Sequence, residues 1–148
     1  MTWDARAFLS ARYPQPRLVC FSCNFGWGYL ADRNALASQV KNWIPVVCTG
    51  KIDTTHILDA FKAGADGVLI LACPAGECHF QDGNIEAKKK VYFLHRLLDD
   101  YGIERDRLRI ELSSDSDGKK LLALVKDMKE KVAKLGPVKR VAAASKLA

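Results

Sequence analysis

Gly67-Val68-Leu69-Ile70-Leu71-Ala72-Cys73-Pro74-Ala75-Gly76-Glu77-Cys78-His79-Phe80-Gln81-Asp82-Gly83-Asn84 is the stretch on which the fold turns. Val68 to Ala72 is an unbroken apolar run, the pattern of a parallel strand covered on both faces. Cys73-Pro74 ends it in a turn of small residues that carries a second thiol, Cys78, and then His79. Open α/β sheets bind ligands just beyond the carboxyl ends of their strands. The question for the rest of the chain is whether other strands deliver thiols to the same place.

Upstream, Asp53 can cap a helix through Lys62 whose inner side is Ile57, Leu58, Ala60 and Phe61, with Gly64 as its C-cap. Ile44 to Cys48 reads as a strand, with Pro45 near its start, where a missing donor is tolerated. Ala31 to Trp43 reads as a helix offering Leu30, Ala35, Ala37, Val40 and Trp43 to one side, and Arg17 to Cys23 as a strand rich in β-formers. Residues 1–16, with Trp3, Ala7, Phe8 and Ala11 ahead of Pro14 and Pro16, read as an appended helical extension.

Downstream, a long helix begins near Gly83-Asn84 and carries Ile85, Val91, Leu94, Leu97 and Leu98 to Gly102. Leu108 to Leu112 is a fourth strand, Asp115 or Ser116 caps, and Lys119 to Leu135 is a last amphipathic helix before Gly136-Pro137. Residues 137–148 are a basic Ala- and Lys-rich tail. Strands alternating with single helical crossovers predict one α/β domain, residues 17–136. Its core is a parallel four-stranded doubly wound sheet, flavodoxin- or Rossmann-like, with flanking helices.

The totals agree with that reading. A chain of 148 residues buries an adequate core without disulfides. No apolar run approaches the length of a membrane helix, and Met1 to Tyr13 has acid and arginine where a signal peptide needs an apolar region. The expected location is the cytoplasm, where thiols stay reduced and five cysteines point to metal or catalysis before disulfides. The net charge of +6 favours acidic partners, and its surplus lies from Lys119 onward. That stretch has no aromatic residues on which bases stack, so protein docking is expected there and nucleic-acid binding is not.

Cys23, Cys48 and Cys73 each end a predicted strand, and Cys78 follows in the third loop. Parallel strands all point one way, so these four thiols collect at one rim. Four convergent sulfurs suit an iron–sulfur cluster or zinc. Zinc sites favour tight Cys-x2-Cys knuckles, whereas two of these sulfurs come singly from separate strands, which a wider cluster accommodates better. Gly26, Gly28, Gly50, Gly76 and Gly83 are the small loop residues that let amides approach sulfur. Cys20 sits inside its strand and reads as core, with its Cys20-x2-Cys23 spacing keeping it in view as a substitute ligand. His79 is placed to orient the loop or donate to a sulfur, whereas His56 and His95 fall on helices. Gly50-Lys51 lacks the rest of a phosphate loop. A thiol enzyme built on Cys78 or Cys73 is the competing reading, and it leaves Cys23 and Cys48 without a role.

Several segments together resemble a known family. They are Phe21-Ser22-Cys23-Asn24, Cys48-Thr49-Gly50-Lys51-Ile52-Asp53, Ala60 to Val68, and Cys73-Pro74-Ala75-Gly76-Glu77-Cys78-His79-Phe80 with Gly83-Asn84. They are similar to the delta, iron–sulfur subunit of methyl-viologen-reducing hydrogenases (MvhD), a family found beside heterodisulfide reductase-type flavoproteins and formate dehydrogenases. The resemblance implies an electron-transfer subunit with a 2Fe-2S cluster. Its partners would be a hydrogenase or formate dehydrogenase subunit and a heterodisulfide reductase A-like flavoprotein. Cys23, Cys48, Cys73 and Cys78 match cysteines of the family pattern, with Gly50, Gly76 and His79 as cofactor-binding neighbours. The pattern reads Phe-Cys-Cys-Asn-Trp-Cys where this chain has Ser22 and Gly26 in place of two thiols, so a cluster-free bridging subunit is also implied as an alternative.

Overall fold

A computed structural model describes residues 16–138. The predicted extension over residues 1–16 and tail over 137–148 lie outside these residues, apart from Pro16, Pro137 and Val138. Among the described residues, four strands form one sheet: β1 (Leu18–Cys23), β2 (Trp43–Val46), β3 (Gly67–Ala72) and β4 (Leu108–Leu112). The order is β2-β1-β3-β4 and every pairing is parallel. Every residue of β1 and β3 is buried, as their uninterrupted apolar character requires of central strands covered on both sides.

Among the described residues four α-helices cover the sheet: α1 (Arg33–Gln39), α2 (Thr54–Ala63), α3 (Gly83–Asp100) and α4 (Lys119–Leu135). Alternation along the strands divides the core into two faces. Val19, Phe21, Val68 and Ile70 pack with Ile57 and Phe61 of α2 and Val91, Leu94 and Leu98 of α3. Leu18, Cys20, Leu69 and Leu71 pack with Leu36 of α1 and Leu121, Val125, Met128 and Val132 of α4. The fold is therefore doubly wound. No described helix is long and apolar enough to cross a membrane.

Local chemistry sets the boundaries, and some differ from the expected ones. The first helix runs over Arg33–Gln39 and not from Ala31 to Trp43, because the Asp32 carboxylate accepts from the Asn34 and Ala35 amides and starts it there. Trp43 is drawn into β2, where its indole donates to the Ser22 hydroxyl at 2.7 Å. Leu30, expected on the inner side, is 70 % exposed. β2 stops at Val46, so Cys48 lies beyond the strand and opens the 3-10 turn Thr49–Lys51. Asp53 and His56 form a reciprocal cap for α2, with the Asp53 amide donating to His56 Nδ1 at 2.9 Å, and Gly64 ends that helix at φ 118°. The N-cap of α4 is Gly118, at φ 82°. Asp115 still satisfies that helix end, accepting from the amides of Gly118 at 3.1 Å and Leu121 at 2.8 Å.

Candidate metal centre

The chain leaves β1 for β2 on one side, then crosses back to β3 on the other, so β1 and β3 flank the topological switch point. Cys23 ends β1, Cys73 follows β3, and their sulfurs are 3.2 Å apart across that crevice. Both are buried, and the Cys23 thiol faces the Val47 carbonyl at 4.0 Å. Cys48 and Cys78 form the other half of the quartet, close enough for each to shift the other's hold on its proton. A Cβ on Gly83 would collide with Cys48 Sγ and stand 3.4 Å from Cys78 Sγ, so both sulfurs press on the bare first residue of α3. A Cβ on Gly50 would lie 2.8 Å from Gly83 Cα, so the Cys48 turn and the start of α3 are in direct backbone contact. Cys73 is within electrostatic reach of the other three thiols.

Backbone amides are directed at Cys48 and Cys78, that of Gly50 toward the first and those of Asn84, Phe80 and Gly83 toward the second. Burial pushes the Cys73 thiol up to about 12, reinforced by the adjoining Cys23 thiol. Burial also raises Cys48, against the Gly50 amide. At Cys78 burial is the largest single influence and acts upward, yet the Asn84 and Phe80 amides, the Cys48 thiol and the Gly83 amide together carry it below the ordinary value. Two of those amides belong to the first turn of α3, whose dipole favours negative charge there.

α3 also clamps the loops. The Asn84 side-chain amide donates to the Cys73 carbonyl at 3.0 Å and the Pro74 carbonyl at 2.8 Å. Lys90 Nζ donates to the Gly50 carbonyl at 2.9 Å and the Ile52 carbonyl at 3.0 Å. From the first loop, the Trp27 indole donates to the Ala72 carbonyl at 3.0 Å. The three loops each expose an apolar side chain, Phe25, Val47 and Phe80, all about half exposed, and the third also exposes Glu77, His79, Gln81 and Asp82.

The four cysteines expected at the rim are thus brought together. Cys20 is not among them: it is 1 % exposed within the α1–α4 face, its thiol pushed up to about 12 by burial. Gly50 is at the site. Gly76 instead makes a turn at φ 80°, and a Cβ there would meet nothing within 4 Å. His79 is exposed and stacks on Phe25, ring centroids 4.0 Å apart, on the outside of the loops. Ser22 is fully buried and occupied by Trp43, whereas a Cβ on Gly26 would approach Cys73 Sγ to 3.2 Å. Sequence reasoning missed Lys90, which has no motif, and it placed Gly83-Asn84 in the resembling segments and at a helix start without giving the Asn84 side chain a role.

Among the described residues no group of three or more His, Cys, Asp or Glu side chains, as they stand, is disposed to hold a metal ion. The sulfurs lie in two pairs and do not surround one point. The donor set nonetheless fits an iron–sulfur group in kind: four thiols, mostly dry, with amides directed at sulfur.

Fold and rim together define a doubly wound α/β domain with a thiol quartet at its switch point. The chain belongs to the family described as methyl-viologen-reducing hydrogenase, delta subunit, whose model matches residues 18–136. It is similar to the iron-sulfur subunit of the F420-non-reducing hydrogenase of Archaeoglobus profundus, 35 % identical over 130 residues, covering 84 % of this chain and 94 % of that one. It is also similar to the vhu iron-sulfur subunit of the F420-non-reducing hydrogenase of Methanococcus maripaludis, 38 % identical over 120 residues, covering 80 % and 90 %. A third relative belongs to the ferredoxin/F(420)H(2)-dependent CoB-CoM heterodisulfide reductase of Methanosarcina acetivorans, of which it is one subunit; the two are 29 % identical over 128 residues. That match takes in 83 % of this chain but only 16 % of the larger protein.

Proposed function

We propose that this chain is an electron-transfer subunit that holds one 2Fe-2S cluster through Cys23, Cys48, Cys73 and Cys78. It relays single electrons between a hydrogenase- or formate dehydrogenase-type module and a flavin-containing subunit of the heterodisulfide reductase A type. The observation that carries the reading is the meeting of four thiols from three loops at the switch point, with amides already directed at two of them. Such a cluster supplies one-electron chemistry when bound. The chain's own contribution is ligation, exclusion of water and hydrogen bonding to sulfur, which set the potential.

The relatives support both the cofactor class and the partners. Subunits bearing the iron-sulfur name match nearly end to end, and a much longer heterodisulfide reductase chain carries a similar segment within itself. A domain found inside such a protein is suited to work beside it as a separate polypeptide. The half-exposed Phe25, Val47 and Phe80, one on each of the three loops, offer apolar contacts of the kind a partner covers.

Anaerobic purification followed by iron, sulfide and zinc analysis tests this. The expected result is about two irons and two sulfides per chain, with the visible absorption lost in Cys48→Ser. Zinc alone would indicate a structural site, and absence of metal a bridging role. One observation favours a second reading, a thiol enzyme: Cys78 is the partly exposed member of the quartet, lowered and ringed by amides. In that case a metal-free Cys48→Ser chain keeps its activity while Cys78→Ser loses it.

A further inference from the structure

The quartet is made of two unlike pairs. Cys23 and Cys73, 2 % and 3 % exposed, face each other, and Cys23 also faces the Val47 carbonyl oxygen at 4.0 Å. Cys48 and Cys78 face amides: Gly50 N–H on one, and Phe80, Gly83 and Asn84 N–H on the other. Two of these come from the first turn of an 18-residue helix, and the Lys90 ammonium is bonded to the same Gly50 turn. Fixed N–H dipoles stabilise negative charge on sulfur and on the metal behind it, and a carbonyl dipole opposes it.

We propose that, on the reading that the quartet holds a binuclear cluster, Cys23 and Cys73 take one iron, Cys48 and Cys78 take the other, and the second is where the transferred electron resides. One electron from an external one-electron reductant converts that iron from ferric to ferrous. The other stays ferric, no bond forms or breaks, and the centre becomes more negative by one charge. The unit that accommodates this charge is the start of α3 with the Gly50 turn. Lys90 is a positioning residue, holding the Gly50 amide on Cys48 through the carbonyls of Gly50 and Ile52.

The experiment uses the full chain, reconstituted anaerobically with iron and sulfide, counted for both, then reduced with dithionite. Cysteine β-protons are followed by proton NMR against temperature and placed by their contacts, those of Cys48 and Cys78 with Gly83 and that of Cys73 with Gly26. The expected result is ferrous-site behaviour, shifts growing with temperature, for Cys48 and Cys78, and ferric-site behaviour, shifts shrinking, for Cys23 and Cys73. The reverse assignment, or four equivalent cysteines, overturns the proposal while leaving the cluster reading intact. Failure to bind iron and sulfide at all overturns the cluster reading and this proposal with it. Lys90→Met should keep its iron and become harder to reduce, with Lys90→Arg restoring the potential in part. An unchanged potential at full iron content would remove Lys90 from its assigned role.

Discussion

The two ends of the sheet bury very different chemistry. At the amino ends of the strands Arg107 is fully buried and every arm is engaged: Nε with Glu104 at 2.5 Å, Nη1 with the Asp66 carbonyl at 3.1 Å, and Nη2 with the Gly136 carbonyl at 2.6 Å. Asp66 is tied in turn to the Arg17 amide at 2.8 Å. At the carboxyl ends three buried thiols and the half-buried Cys78 lie near one another and a few amides, with Phe25, Val47 and Phe80 half exposed on the loops around them. One end closes on itself and contributes stability. The other gathers thiols beyond the carboxyl ends of the strands, which is where an open α/β sheet places its ligand.

The largest test of this contrast is Arg107→Met. Removing the guanidinium leaves the carbonyls of Asp66, Leu135 and Gly136 without their donor. The expected loss is about 3 kcal/mol in urea unfolding, with iron content unchanged in what remains folded. A loss below about 1 kcal/mol would break the contrast. Gly83→Ala strikes the other end, because its new methyl meets Cys48 Sγ and the Gly50 turn. It should cost about 2 kcal/mol through overpacking and, unlike the first variant, lower the iron retained per folded chain.

Trp43→Phe is milder. It deprives the buried Ser22 hydroxyl of its donor and should cost about 1 kcal/mol, with no change in bound iron if Ser22 is a structural residue and not a vestige of the site. The smallest effect is chemical. In metal-free chain, iodoacetamide should modify Cys78 first and continue at pH values where an ordinary thiol has become slow, because its proton is held less tightly than usual. Cys20 and Cys73, both pushed up to about 12, should react last. Peptide mapping reads the order, and an early reaction at Cys73 would contradict the dry character assigned to the Cys23–Cys73 pair.

Much of this architecture is legible in residue order, because continuous apolar runs and alternating helices leave a parallel sheet as the natural solution and parallel strands send their ends to one rim. Cys23, Cys73 and Cys78 therefore fall where strand logic puts them. Cys48 reaches the rim for a different reason: β2 ends two residues earlier and the chain runs on through Val47 to Cys48, which is extended and caps the 3-10 turn Thr49–Lys51. The short first helix follows from Asp32 capping it and from Trp43 finding Ser22, a contact between residues 21 apart that no local pattern displays. His79 is adjacent to Cys78 in sequence, but its ring turns outward onto Phe25. Asn84 and Lys90 are ordinary helix residues until the loops they grip are seen in three dimensions.

The grip of Asn84 and Lys90 on those loops has a consequence for biosynthesis. While the chain is still emerging from the ribosome, Cys23 and Cys48 appear well before β3, which must insert beside β1, and before the helix that holds the Cys48 turn. On the cluster reading proposed above, a nascent chain at that stage holds only one sulfur of each pair, so loading would follow translation through Lys90 and insertion of β3 beside β1.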